Sequence, residues 1–396
     1  MTVSQPAGAR ARSFSLVSAA VRRLERAYEA LRAAGADLPA FRLVLDDGEV
    51  HDFGSGEPAL TLTVRNRAGR AALASLDEFR FAMAYVAGDI DLEGDIPTLR
   101  RLRPLASDRH PLRELWSKYL HPLVFGQARS DEKWVAEHYD VEADFYLLFL
   151  DRYRCYSQAV FESPDESLDD AMARKLDFAL DAVGIQPGDR MLDIGAGWGG
   201  MTEYAGRRGI RTTSLTISGP SEAYVQALID REGLPCRVLR RHFLEYREDE
   251  PYDAIVNLGV TEHLPDYAAS LEQYRRLLKP GGRLYLDASA SRRKFPFSSY
   301  IYRFVFPGNA TPLCLHDFLA EAAKAPFEVL AVYNDRVSYY LTCRHWAENL
   351  DRHRAEIVRR WGEQLYRRFQ LYLWSSAVAM ERDELTAYRV VLQLHG

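Results

Sequence analysis

The sequence predicts an α/β protein: a mostly parallel, doubly wound sheet with helices on both faces, preceded by a smaller α+β unit. Three observations carry this. From residue 190 onward, strand-like runs alternate with helical spacing, the pattern of parallel strands joined by crossover helices. The first of those strands runs into MLDIGAGWGG (191–200), where an apolar run climbs to an acid and then to closely spaced glycines. The chain has 396 residues, longer than most single domains, so two units are expected.

The opening reads as a short disordered tail and then a helix. Phe14, Val17, Val21, Leu24, Tyr28 and Leu31 recur at three- and four-residue steps, with Arg22, Arg23 and Arg26 on other faces. The stripe reads first as a helix docked on its own chain, and second as an interfacial helix with arginines toward anionic headgroups. FRLVLDDGEV (41–50) follows as two strand-like runs around an Asp-Asp-Gly turn, and ALTLTVRN (59–66) alternates like another strand. LDEFRFAMAYVAGDIDLEGDIPTLRRL (76–102) reads as helix, turn and helix. This unit is placed at 1–111, with a polar, aromatic linker at 112–135.

Beyond the linker, SLDDAMARKLDFALDAVGI (167–185) has helical spacing, a serine N-cap and a QPGD turn at its end. Then come RMLDIGAG (190–197), a helix, IRTTSLTIS (210–218), a helix, CRVLRRHF (236–243), YDAIVNLG (252–259), a helix through YRRLLKPGG (274–282), and RLYLDAS (283–289).

Composition narrows the function. A net charge of −5 argues against a surface that coats nucleic acid. Cys155, Cys236, Cys314 and Cys343 form no C-x-x-C pair, which fits free thiols in a reducing cytoplasm and no zinc site. No apolar run reaches the ~20 residues of a membrane span, so the reading is a soluble, intracellular protein. The histidines are scattered, and His263 beside Glu262 lacks a second ligand at a helical step, so no metal is expected.

Gly195, Gly197 and Gly200 satisfy G-x-G-x-x-G, a turn that lets backbone approach a ligand at a helix N-terminus. Two details turn away from a nicotinamide dinucleotide. Asp193 stands just before the glycines, where it would repel a pyrophosphate but suits a cationic ligand such as S-adenosylmethionine. The next strand ends SLTISGP (214–220), with no acid for a ribose.

Taken in order, HYDVEADFYLLFLD (138–151), YSQAVFE (156–162), LDIGAGWGG (192–200), LTIS (215–218), EHLPDY (262–267), LKPGG (278–282), FPG (306–308) and RRFQLYLWSSAVAM (367–380) resemble the cyclopropane-fatty-acyl-phospholipid synthase family, with the related mycolic acid methyltransferases. AMAYVAGDIDLEGDI (82–96) resembles the smaller domain of the full-length bacterial synthases. The resemblance implies a Rossmann-like class I methyltransferase domain over 136–396 with an acyl-binding cap at about 288–345. The 1–111 unit becomes a lipid-binding and dimerisation domain. It also implies S-adenosylmethionine as cofactor, an unsaturated phospholipid acyl chain as substrate, a homodimer, and cytoplasmic location with peripheral contact at the inner membrane surface.

The same resemblance gives residues their roles. Asp193, Gly195 and Gly197 would cradle the methionine end and ribose; Tyr156 and Ser157 would close over the sulfonium; Thr216 would face the ribose. Phe243 would stack on adenine, Leu258 would line the opposite wall, and His138 and Tyr139 would stand beside the cofactor. A glutamine often follows LTIS in the family; Ser221 stands nearby here.

Transfer of a methyl to an alkene needs an in-line sulfonium, a dry apolar pocket for the carbocation, and a base. In cyclopropane synthases that base is a bicarbonate held by glutamate, histidine, tyrosine and a cysteine. Glu262 and Tyr339 fill the glutamate and tyrosine positions, but Gln158 replaces the cysteine and Asp287 the histidine. A carboxylate there repels an anion unless protonated, which argues against the usual bicarbonate site. Asp287 or Glu262, with Tyr339, then becomes the candidate base. Loss of a proton from the new methyl gives a cyclopropane; loss from the chain after a hydride shift gives a methylene branch. The paired replacements lean toward the second, although Gln158 could supply replacement hydrogen bonds and keep the ring. RRKFPFSSYIYRFVFPG (292–308) sets aromatics on a basic flank and reads as core of a cap or as an acyl channel. The alternative to an enzyme is a catalytically altered lipid-binding protein of the same fold.

Overall fold

The computed structural model describes residues 7–108, 142–295, 298–304 and 310–396, with backbone alone over 7–16. The linker 112–135, His138, Tyr139, Phe297 and the FPG stretch at 306–308 lie outside the described residues. The chain divides into two compact units: Met1–His110 with Ser298–Tyr300 and Arg354–Val378, and Pro111–Phe297 with Ile301–His353 and Ala379–Gly396.

In the first unit, alternating burial along FRLV and LTLTV puts Phe41, Leu43, Leu60, Leu62 and Val64 on one face of a small sheet. Its strands are β1 (Phe41–Val44), β2 (Val50–Phe53), β3 (Leu60–Val64) and β4 (Ile90–Gly94), in the order β2-β1-β3-β4. β1 runs antiparallel to β2 and parallel to β3. Phe41 and Phe53 face each other in that register and stack at 4.3 Å, with Tyr28 edge-on to both at 5.8 Å. Val17, Val21, Leu24 and Tyr28 of helix Ala7–Ala33 are buried in this core, while Arg22, Arg23 and Arg26 are exposed. The apolar stripe therefore docks on its own unit. One local reading is corrected: the stretch after helix Glu78–Ala87 is strand β4, where a bare turn was expected. Pairing of Ile90 with Val64 and Leu92 with Leu62 outweighs the acids and glycines that mask its alternation.

In the second unit, helix Leu168–Val183 starts where Ser167 accepts a hydrogen bond from the Asp170 amide, a cap worth about 1 kcal/mol. It ends at Gly184, whose φ of +69° is left-handed. Seven strands follow: β5 (Arg190–Ile194), β6 (Arg211–Thr216), β7 (Arg237–Arg240), β8 (Tyr252–Leu258), β9 (Leu278–Ala290), β10 (Phe327–Asn334) and β11 (Thr386–Leu394). Their order is β10-β11-β9-β8-β5-β6-β7. β5 through β9 pair in parallel, whereas β11 is antiparallel to both its neighbours. β6 lies on one side of β5 and β8 on the other. The strand order reverses there, which opens a crevice at the carboxyl ends of these strands.

Candidate active site

A cavity of about 160 Å³ occupies that crevice, lined in part by Asp193, Gly195, Gly197, Trp198, Thr216 and Ser221. Gly195 and Gly197 have φ of +89° and +50°, so the turn after β5 depends on glycine. A Cβ on Gly195 would stand 2.3 Å from Val260 Cγ2. Asp193 is buried at the end of β5, and its Oδ2 accepts from Ser214 Oγ at 2.9 Å. Its Oδ1 has no hydrogen-bond partner among the described residues. Burial pushes this acid up to about 7, against the pull of the Ser214 hydrogen bond. Ser221 Oγ donates to the Gly197 carbonyl at 2.6 Å and braces the turn. A buried carboxylate with an open oxygen beside a glycine cradle fits a cationic ligand with hydroxyl or ammonium donors.

Tyr156 and Ser157 form the facing wall with Leu258 and Gly259. A Cβ on Gly259 would meet Ser157 Cβ at 2.9 Å, which explains the glycine after β8. Beyond this wall the buried acids gather. Glu262 sits on the short turn Thr261–His263, between Val260 and His263, both of which line the cavity. Its Oε1 accepts from the Ser289 amide at 2.7 Å and the Ser289 hydroxyl at 2.8 Å, and its buried Oε2 has no partner among the described residues. Burial raises Glu262 to about 7 despite those hydrogen bonds.

Asp287 pairs with Leu258 in the β8–β9 register and is fully buried. Its Oδ2 lies 3.2 Å from Lys175 Nζ, and Lys175 also donates to Ser157 Oγ at 2.6 Å. Asp287 Oδ1 has no partner among the described residues. Burial raises Asp287 too, opposed chiefly by Lys175. Gln158, also fully buried, donates from Nε2 to Asp335 Oδ2 at 2.9 Å, and its Oε1 has no partner among the described residues. Arg389 grips Asp335 with two hydrogen bonds of 2.6 and 2.9 Å. Helix Arg336–Arg352 starts at Asp335 and carries Tyr339 on its first turn. The Tyr339 ring meets Trp346 edge-on at 6.3 Å, and Trp346 in turn lies 5.2 Å from the Tyr156 ring.

Seven of the expected cofactor residues thus line one cavity: Tyr156, Ser157, Asp193, Gly195, Gly197, Thr216 and Leu258. Phe243 is buried in the core cluster that packs against Val260 of the cavity wall, with its ring 4.9 Å from that of Tyr274. His138 and Tyr139 fall outside the described residues. Lys175, Asp335, Arg389, Trp198 and Arg154 were not singled out by sequence. Arg154 has a left-handed φ of +64°, and its Nε donates to the Trp198 carbonyl at 3.0 Å. In the aromatic stretch, Tyr302 is buried in the second unit, whereas Tyr300 is buried in the first and donates to the Arg368 carbonyl at 2.9 Å. Lys294 sits over the Tyr267 ring at 4.2 Å and donates to the Pro265 carbonyl, while Arg292 and Arg293 are exposed.

The seven-stranded sheet with a glycine-turn cleft at its switch point defines a class I S-adenosylmethionine-dependent methyltransferase. The family described as mycolic acid cyclopropane synthetase matches residues 127–390, well over half the chain, and this protein belongs to it. It is 29% identical to a probable fatty acid methyltransferase of Mycobacterium tuberculosis over 379 residues, covering 85% of this chain and 88% of that protein. Cyclopropane mycolic acid synthase MmaA2 of the same species is 32% identical over 262 residues, 61% of this chain and 90% of that one. The solved cyclopropane synthase MmaA2 superposes with a TM-score of 0.62 at 29% identity, covering 66% of this chain and 98% of that one. Mycolic acid cyclopropane synthase CmaA1, solved in complex with SAH and CTAB, gives 0.61 at 28% identity, with the same coverage. The chain is therefore a methyltransferase of a lipid-modifying family. Among the described residues no helix is long and apolar enough to cross a membrane.

Proposed function

We propose that this enzyme methylates the double bond of an unsaturated fatty acyl chain carried by a phospholipid, and that a protein carboxylate removes the departing proton. One observation carries the reading. Among the described residues, the buried atoms left without partners at Glu262, Asp287 and Gln158 are all acceptor oxygens. Gln158 spends its amide nitrogen on Asp335, and Asp287 is tied to Lys175. Such a set suits positive charge and a departing proton, and it does not suit a carbonate, which needs donors.

Asp193, Gly195, Gly197, Tyr156, Ser157, Thr216 and Leu258 would hold S-adenosylmethionine, which would supply a methyl group made electrophilic by its sulfonium. The rest of the work falls to this chain. Tyr156 gives the wall an aromatic face, with the Tyr146 and Trp346 rings packed against it at 5.5 and 5.2 Å, and such a face favours the cation formed when the alkene takes the methyl. Burial keeps water from capturing that cation. Glu262, with one oxygen fixed by Ser289, offers the other as general base, and Asp287 and Tyr339 support it. A proton taken from the chain leaves a methylene branch, the product favoured here; a proton taken from the added methyl closes a cyclopropane. The exposed Arg22, Arg23 and Arg26 would meet the inner membrane surface, and the first unit would pair two copies.

Gas chromatography with mass spectrometry on lipids from cells that express the protein in an oleate-rich membrane tests this. The expected result is a gain of one CH2 with a double bond retained. A saturated ring would move the proton loss to the methyl, and no mass change on any unsaturated lipid would overturn the proposal.

A further inference from the structure

Lys175 is an anomaly in its helix. The other buried positions of Leu168–Val183 are Leu168, Ala171, Met172, Leu176, Ala179, Leu180 and Val183, all apolar. A lysine in that stripe loses its water and must find fixed partners instead. Among the described residues Lys175 and Arg389 are the two buried cations, against five buried acids: Asp151, Asp193, Glu262, Asp287 and Asp335. Arg389 is committed to Asp335. Lys175 reaches the remaining centre, touching Ser157 of the cavity wall and Asp287 of the acid cluster at once. Its charge also acts on Asp151, Asp193 and Asp335.

We infer that Lys175 is a positioning residue for the methyl-transfer reaction: its ammonium occupies Asp287 Oδ2 and the Ser157 hydroxyl, leaving Asp287 Oδ1 as the one open oxygen of an oriented carboxyl group. Asp287 thereby repeats the arrangement of Glu262, where Ser289 occupies one oxygen and the other stays open. Tyr285 adds a 3.4 Å hydrogen bond on the same Oδ2, so Lys175 and Tyr285 both hold one oxygen and, among the described residues, nothing holds the other. The charged and titratable groups that bear on this centre are Lys175 from its helix, Glu262 and Asp335 from their turns, Tyr285 on β9, and Cys155 ahead of Ser157. A pair kept only for the fold would be replaceable by apolar residues without loss of function.

This inference rests on the proposed lipid reaction, and wild-type turnover is the control that separates the two. The full chain is assayed with S-adenosylmethionine and vesicles of dioleoylphosphatidylglycerol. Lys175→Met should lower kcat about 100-fold or more while KM and cofactor affinity change little, and should move the rising limb of the pH profile upward by about one pH unit. Lys175→Met with Asp287→Asn should regain thermal stability without regaining turnover, which keeps the test open if the single variant folds poorly. Turnover of the double variant within about threefold of wild type, or an unchanged pH profile in the single variant, would overturn the inference. No turnover by wild type on any unsaturated lipid would instead strike the proposed function.

Discussion

The glycine cradle of the cofactor cleft comes from one stretch, residues 193–201, whereas the buried polar cluster beyond it is assembled from residues 158, 175, 262, 287, 335 and 389. The first region works through backbone: glycines in left-handed conformations and one acid at a strand end. A Cβ in the wrong place closes it. The second works through side chains that meet only after the sheet has formed, and its chemistry depends on which oxygen of each acid is already occupied. The glycine cradle is thus written locally, and proton removal is written in tertiary contacts. Substitutions in the two regions should fail in different ways.

The largest effect is expected at Glu262. Glu262→Gln should lower kcat about 1,000-fold with cofactor affinity preserved, as measured by methyl transfer beside calorimetric titration. Next comes Asp193→Asn, which should weaken S-adenosylmethionine binding about 10- to 100-fold, the loss of a charge-assisted hydrogen bond. Because burial holds Asp193 at about 7 before the ligand arrives, binding should strengthen as pH rises through that value and the variant should lose the dependence. Gly195→Ala should cost about 2 kcal/mol of stability through its positive φ, on top of the clash with Val260, and shows as a lowered Tm.

Stability against pH gives a further check. Glu262 binds its proton more tightly folded, at about 7, than its ordinary value of 4.5. Below 4.5 both states hold the proton and nothing is lost. Between 4.5 and 7 stability falls as pH rises, by on the order of 3 kcal/mol in total, and Glu262→Gln should remove that share of the slope. The smallest effect belongs to Phe243→Leu. Its place against Tyr274 predicts a loss of about 1 kcal/mol in stability and less than about a threefold change in cofactor affinity. A large affinity loss would restore it to the adenine.

The same division explains what could be read from sequence. Ser167 and Gly184 bound a helix in plain view, and the run from Met191 to Gly200 states its turn directly. Strand β4 was hidden because Asp91, Glu93 and Gly94 dilute its apolar alternation. Lys175 reads as an ordinary solvent-facing lysine on an amphipathic helix until packing shows it fully buried. Arg389 likewise looks like one polar tooth of the alternating strand β11, and its partner Asp335 stands 54 residues away. Nor does local spacing announce that Arg354–Val378 packs with the first unit. Gln158 and Asp287 were visible as departures from the family, but their partners Asp335 and Lys175 were not.

The most direct test of a protein carboxylate as the base is turnover in carbonate-free buffer, measured with and without added bicarbonate. The rate should be the same in both, and bicarbonate dependence should emerge only when Gln158→Cys and Asp287→His are combined. A wild-type rate that collapses without carbonate and returns when bicarbonate is added would contradict the account.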